Sequence, residues 1–270
     1  MPAAKKQRLD LALVARGLAS SREQARACIL AGAVTVDGQV VAKPGALVAA
    51  DASLAVRQRP VYVSRGGYKL AHALEVFGIA VRERVCLDAG ASTGGFTDCL
   101  LQRGARRVYA VDVGYGQLDW RLRQDPRVVV MERVNLRTLT ALPEPVDLAT
   151  LDLSFISLRL VLEPVRALLR PGGAVVALIK PQFEAGRAHV GRGGVVRDPR
   201  VHAEVLRGVL EWAAAHGYGV RGVTASPLRG PAGNVEFLAY LVSDGGTTSA
   251  ALEPLVAAAL AEAAAGAARA

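Results

Sequence analysis

The sequence predicts an α/β protein: a doubly wound, mainly parallel sheet of seven strands whose last strand runs antiparallel, preceded by a small α+β module. Three observations carry that prediction. From Val85 onward, short apolar runs alternate with helical patterns, the order that β–α units impose on a parallel sheet. The last two apolar runs have no helix between them, so they pair antiparallel at one edge. Ahead of all this, residues 7–57 form a separate pattern of two short helices and a hairpin.

Composition sets the outer bounds. The chain has 270 residues, enough for about two domains, with 33 Lys and Arg against 24 Asp and Glu. The excess is uneven, because residues 1–69 hold 11 basic and 4 acidic side chains while the remainder is nearly balanced. A basic N-terminal part on a near-neutral body suits docking on a polyanion such as nucleic acid. Cys28, Cys86 and Cys99 match neither a disulfide framework nor a metal spacing. They fit buried thiols in a reducing cytoplasm, and no metal is expected. The N-terminus has no signal-peptide pattern, and no window reaches the ~18 uncharged apolar residues of a membrane span, so no membrane partner is expected.

Residues 1–58 read as the first module. Leu9, Leu11, Leu13, Val14 and Leu18 mark one helix; Ser20 and Ser21 cap a second, with Ala25, Cys28 and Ile29 on its apolar face and Gly32 at its end. Val34 and Val36, then Asp37-Gly38, then Val40 read as a hairpin, since Asp-Gly supplies the positive φ angles of a two-residue turn. Residues 59–63 form a linker in which Pro60 opposes helix. The body spans 64–245 and opens with a helix whose stripe is Leu70, Ala73, Leu74 and Phe77, with Lys69 beside it. Strands are expected at 84–88, 107–112, 128–132, 147–152, 174–179, 218–224 and 235–242, and helices at 95–103, about 116–123, 157–169 and 199–216. The Ala-rich segment 246–270, interrupted by Glu253, Pro254 and Glu262, reads as a solvent-facing helix.

The turn after the first of these strands carries a ligand signature. Gly90, Gly94 and Gly95 let the backbone bend and approach a ligand, and the helix that follows aims free N–H groups at it. Ser92 stands where a dinucleotide fingerprint places its second glycine, and Asp88 precedes the turn. A carboxylate suits a cationic cofactor better than a diphosphate, and S-adenosylmethionine fits. Its expected contacts are Asp88, Gly90, Ser92, Thr93, Gly94, Gly95 and Phe96. Asp112 ends the next strand about twenty residues on, where a carboxylate reaches a ribose diol. Asn135, past the third strand, is the expected adenine contact. Asp152 and Lys180 follow the fourth and fifth strands directly and so flank the reacting end of the cofactor, and Glu236 begins a strand that returns to the same edge. The loop 184–198 reads as a phosphate grip through Arg187, Arg192 and Arg197, or as an unstructured connector.

Two resemblances join these parts. The R-L-D start, the S-R-E-Q-A-R second helix and the G-x-V-x-V-D-G hairpin resemble the S4 RNA-binding domain, which implies that Arg8, Arg16, Arg22, Arg26 and Lys43 face structured RNA. Lys69, Asp152, Lys180 and Glu236 match in order and context the Lys-Asp-Lys-Glu tetrad of the FtsJ-like ribose 2′-O-methyltransferases, whose fold is the class I (Rossmann-like) plan. With the S4-like part, the motifs Y-x-S-R-G-G-x-K-L, D-A-G-A-S-T-G-G-F-T, D-L-S-F-I-S-L, I-K-P-Q-F-E and G-x-x-G-N-V-E-F resemble the TlyA family of ribosomal RNA cytidine 2′-O-methyltransferases, also known as haemolysin A, over about residues 7 to 243. The resemblance implies S-adenosylmethionine as cofactor, ribosomal RNA or ribosomal subunits as partner, and Arg65 as a further RNA contact. A ribose 2′-hydroxyl needs a base as it attacks the methyl in line, and a lysine serves where burial and a second cation favour its neutral form. That role falls to Lys180, with Lys69 as the nearby cation and orienter of the 2′-oxygen. Asp152 is expected to position Lys180, and Glu236 to hold a lysine or the ribose.

Competing readings are a pyrimidine carbon-5 methyltransferase, which needs a cysteine nucleophile; an exocyclic-amine methyltransferase, for which Asp152-Leu153-Ser154-Phe155 is a poor N/D-P-P-F/Y match; an RNA-binding cofactor sensor without turnover; and a membrane-lytic protein.

Overall fold

In a computed structural model of the chain, describing residues 6–30, 32–56 and 61–267, the polypeptide divides into two compact units, Met1–Val61 and Tyr62–Ala270. Pro60 of the expected linker lies outside the described residues.

In the first unit, β1 (Gln7–Arg8) leads into α1 (Leu9–Ala15) and α2 (Arg22–Leu30), followed by β2 (Val34–Val36), β3 (Gln39–Val40), β4 (Leu47–Val48) and β5 (Leu54–Val56). Ser21 Oγ accepts from Gln24 N at 3.1 Å while Gln24 Oε1 takes Ser20 N at 2.6 Å, a reciprocal cap that starts α2 after two serines. β2 pairs antiparallel with both β3 and β5, and the β2–β3 turn is Asp37-Gly38 at φ 49° and 82°, the geometry read from the sequence. Leu9, Leu13, Ala25, Ile29 and Val34 are fully buried in its core. Asp10 is buried there too, held at 3.0 Å by both Arg8 and Arg22, and the Arg8 hydrogen bond above all keeps its carboxyl well below the usual range.

The second unit runs α3 (Gly66–Val76), β6 (Val85–Ala89), α4 (Gly95–Gln102), β7 (Arg107–Asp112), α5 (Trp120–Arg123), β8 (Val128–Glu132), β9 (Val146–Leu151), α6 (Leu162–Leu168), β10 (Leu169–Ile179), α7 (Pro181–Glu184), α8 (Pro199–Ala215), β11 (Gly219–Ala225), β12 (Phe237–Val242) and α9 (Ser249–Ala267). The sheet order is β11-β12-β10-β9-β6-β7-β8, with β6 to β10 parallel and β12 antiparallel to both neighbours. Period-2 alternation distributes the strands' side chains to two cores. Leu87, Tyr109, Val111, Ala149, Leu151, Val175 and Ile179 face α6, α8 and α9, while Cys86, Val108, Ala110, Leu148, Val176 and Leu178 face α3 and α4. The chain leaves β6 towards β7 on one side and later returns to β9 on the other, which opens a crevice at the carboxyl ends of β6 and β9.

Three expectations change. The helix expected at 157–169 is a 3₁₀ turn, Leu158–Leu160, followed by α6, and the helix expected at 116–123 shortens to α5, whose start Asp119 caps by accepting from Arg121 N at 2.9 Å. The Ala-rich C-terminal helix is not solvent-facing along its length. Leu252, Val256 and Ala259 recur on one side of α9 and are buried, and Glu262 accepts from Thr224 Oγ1 at 2.7 Å and Ala225 N at 2.9 Å, tying the helix to the end of β11. The sparse charges that break the apolar run are therefore anchors, since Glu253 also pairs with Arg207 of α8 at 2.6 Å. No helix among the described residues is long and apolar enough to cross a membrane.

Candidate active site

At the crevice, four charged side chains from separate segments meet around one cavity of about 770 Å³. Lys69 comes from the second turn of α3, Asp152 from the residue after β9, Lys180 from the residue after β10, and Glu236 from the residue before β12. The antiparallel direction of β12 brings Glu236 to the edge where β9 and β10 end. Lys69 Nζ donates to Glu236 Oε2 at 2.5 Å, and both side chains are buried. Lys180 Nζ lies 2.7 Å from Asp152 Oδ1 and donates to Ser154 Oγ at 3.0 Å, with its side chain 11% exposed. Each lysine thus faces its own carboxylate.

The backbone brings these segments close enough to meet. α3 and α4 cross where neither has a side chain: a Cβ on Gly95 would stand 2.9 Å from Gly67 N, so the Ser64-Arg65-Gly66-Gly67 run seats Lys69 against the glycine turn. Gly90 has φ +83°, and a Cβ there would stand 2.5 Å from the Asp152 carbonyl oxygen. The 154–158 loop is locked from the far side by Glu184, whose carboxylate takes Ser157 Oγ at 2.6 Å and Leu158 N at 2.7 Å, and whose carboxyl burial pushes up in pKa.

A second cavity, of about 490 Å³, adjoins the first and shares Gly90, Ser92, Asp152, Ser154 and Phe155 with it. Asp112 lines it at the end of β7, with its oxygens already accepting Ser92 N at 2.8 Å and Gly114 N at 2.7 Å. Asn135 also lines it, but spends Oδ1 on Arg137 N at 3.0 Å, capping a short 3₁₀ turn. Val113, Val134, Leu136 and Ile156 make the wall apolar. This donor set fits S-adenosylmethionine: the apolar walls would take a nucleoside, Asp112 is the residue that could hold its ribose, and Asp152 the carboxylate that could face its cationic end. A diphosphate at the same turn would face two carboxylates.

Not every sequence-expected contact reaches these cavities. Gly90, Ser92, Thr93, Gly95 and Phe96 line them, but Gly94 does not: at φ +95° it faces Leu118 and Leu122, a packing role. Asp88, expected as a cofactor contact, lines neither cavity. It is fully buried behind the turn, where it accepts from Thr97 Oγ1 at 2.6 Å and Thr150 Oγ1 at 3.4 Å, so it braces the loop and touches no ligand space. Burial in the sheet pushes its carboxyl up to about 7. A raised native pKa means that the folded chain holds a proton which the unfolded chain, at an ordinary 3.8, has lost. Stability from this group is full below the ordinary value and is lost as pH climbs through about 7. The Asp88→Asn variant, whose amide keeps both threonine contacts, is expected to lack that loss. Denaturant unfolding at about pH 4 and about pH 8 checks it, with the wild type falling by on the order of 4 kcal/mol more than the variant.

Among the expected RNA contacts, Arg26, Lys43, Arg187, Arg192 and Arg197 are exposed. Arg16 is tied down by Ala50 O and Ala52 O, both at 2.5 Å, and Arg8 and Arg22 share Asp10, so these three also hold their own unit together. Arg65 donates to Arg229 O at 2.7 Å at the cavity rim. Sequence reasoning missed Ser154, Glu184 and the pair Phe155 and Phe183. Phe155 is 90% exposed at φ +63°, with its ring 5.1 Å from that of Phe183, and both line the 770 Å³ cavity. An aromatic in the D-L-S-F-I-S-L run was visible, but only the positive φ turns it out to solvent. Cys86 and Cys99 are buried with thiols pushed up to about 12 and about 11, unsuited to nucleophilic attack.

Comparison with known proteins agrees with the two-part organisation. A family model described as FtsJ-like methyltransferase matches residues 62–243, and one described as S4 domain matches residues 7–53. The chain is 52% identical, over 88% of its length and 90% of the relative's, to 16S/23S rRNA (cytidine-2′-O)-methyltransferase TlyA of Mycobacterium tuberculosis. It is 40% identical, over 87% of its length and 99% of the relative's, to Hemolysin A of Brachyspira hyodysenteriae. A solved structure named as a hemolysin from Streptococcus thermophilus matches with a TM-score of 0.72 and 43% identity, covering 96% of this chain and 98% of that one.

Proposed function

The chain belongs to the FtsJ-like methyltransferase family, and from that premise we propose that it methylates the ribose 2′-hydroxyl of a cytidine in ribosomal RNA, with Lys180 as the base. The observation that carries this reading is the convergence of Lys69, Asp152, Lys180 and Glu236 on one cavity beside an apolar-walled one lined by Asp112. Bound there, S-adenosylmethionine supplies an electrophilic methyl group on a sulfonium. Asp152 and Ser154 fix the Lys180 amine at the end of β10, where it takes the proton of the attacking hydroxyl. Lys69, held by Glu236, donates to the 2′-oxygen and stabilises the negative charge that grows on it. Phe155 and Phe183 offer a face on which a base stacks. The S4 unit, with Arg26 and Lys43 exposed, holds structured RNA. The buried thiols speak against carbon-5 methylation.

Mapping 2′-O-methyl groups on ribosomal RNA from cells with and without the gene tests this reading. Loss of one or more cytidine 2′-O-methyls on deletion is expected. An unchanged map refutes the proposed function. Such a substrate also places the protein in the cytoplasm.

A further inference from the structure

The glycine- and arginine-rich loop after α7 is a fastened hairpin. Gly191 and Val195 form an antiparallel bridge, with Gly191 N donating to Val195 O at 3.0 Å and Gly194 N to Gly191 O at 3.0 Å. Arg192 sits exposed in its turn, and Gly193 and Gly194, at φ +78° and +75°, line the cavity that holds the tetrad. A loop so rich in glycine gains little from its own side chains and is costly to order. It is fastened by one amide. Asn234, 2% exposed, accepts Val196 N on Oδ1 at 2.9 Å and donates from Nδ2 to Gly194 O at 2.9 Å. Its own carbonyl accepts Gly230 N at 2.9 Å, and it stands two residues before Glu236. A weaker second tether joins Val196 O to His202 Nε2 of α8 at 3.0 Å.

We propose that Asn234 is a positioning residue: its side chain clasps the Gly191–Arg197 hairpin to the Glu236 segment, so that the hairpin presents Arg192 to an RNA phosphate at the rim of the catalytic cavity. The proposal rests on the RNA reading above for its partner, but the clasp itself does not. Both ends of the amide are spent on hairpin backbone, which only Asn provides at this reach: Asp offers no donor to Gly194 O, and Ala offers neither bond. Buried bonds that fasten a loop to its neighbours control whether it opens locally, a property separate from global stability.

The test uses the full-length protein and the variants Asn234→Asp and Asn234→Ala. Limited trypsin digestion reads the clasp without RNA or turnover. Cleavage within the hairpin, after Arg192 and Arg197, is expected to quicken by about tenfold or more in Asn234→Ala and by less in Asn234→Asp, with sites outside the hairpin cut at the wild-type rate. Unchanged cleavage there overturns the clasp. Steady-state methylation of ribosomal RNA then reads its consequence. KM for RNA is expected to rise about tenfold in Asn234→Ala, with kcat within about threefold and cofactor affinity within about twofold of wild type. A fall in kcat at unchanged KM would mean that the segment serves Glu236 alone, and an equal loss of cofactor affinity would mean general damage; either overturns the substrate role. A wild-type protein that methylates no RNA refutes the proposed function instead, and leaves the trypsin result to decide the clasp.

Discussion

Replacing Lys180 with alanine is expected to lower kcat by about 10²–10⁴-fold while leaving S-adenosylmethionine affinity within a few fold of wild type. The split follows from where the side chain stands. Lys180 Nζ is held by Asp152 and Ser154 and overlooks the tetrad cavity, whereas the adjoining cavity is lined by Asp112, Asn135 and apolar walls. Truncation therefore removes the proposed proton acceptor and frees Asp152, which stays partly exposed and so tolerates losing its partner. Lys180→Arg sharpens the test. An arginine keeps the positive charge beside Asp152 but does not give up its proton near neutral pH, so it is expected to be as inactive as alanine. A calorimetric titration of cofactor beside single-turnover methylation measures both quantities. Activity in Lys180→Arg would remove the base assignment.

The second large effect concerns the inner pair. Lys69 and Glu236 are both buried, so removing one partner leaves an uncompensated charge, whereas removing both leaves none. Glu236→Gln and Lys69→Met are each expected to cost about 3–5 kcal/mol of stability, a fall in melting temperature on the order of 10 °C. The double variant Lys69→Met with Glu236→Gln is expected to recover most of that loss. Its activity is not expected to return, because neither replacement supplies a cation to the 2′-oxygen. Thermal melts of the four proteins give the coupling directly. A double variant as unstable as the sum of the singles would mean that the pair is not coupled, and a double variant with wild-type turnover would mean that it has no part in catalysis.

These expectations separate what the sequence could reveal from what it could not. The β–α alternation, the antiparallel closing pair and the Asp37-Gly38 hairpin were legible because each depends on local periodicity or on one turn's dihedral angles. Asp152 and Lys180 were legible as edge residues because strand ends set their place. That Asp152 holds Lys180 followed from the same strand ends, but that Glu236 takes Lys69 did not, since it depends on how α3 docks against the glycine turn and on the direction of β12. Asp88 shows the limit most clearly. Its position before a glycine turn suggests a ligand contact, yet residues along a central strand alternate between faces, and its carboxylate points into Thr97 and Thr150. α9 shows the converse: an alanine-rich run has almost no amphipathic signal, so its buried side is visible only once β11 and α8 lie beside it. That Arg16 also reaches two carbonyls of its own unit was not legible, because a sequence does not display which backbone oxygens lie within its reach.

The most direct test of the central claim is the chemical identity of the product. Purified wild-type protein, S-adenosylmethionine and ribosomal RNA are incubated, the RNA is digested to nucleosides, and the methylated nucleoside is identified by mass spectrometry. A ribose-methylated cytidine from the wild type and none from Lys180→Ala is the expected result. A base-methylated nucleoside, or an equal yield from both proteins, would contradict the account.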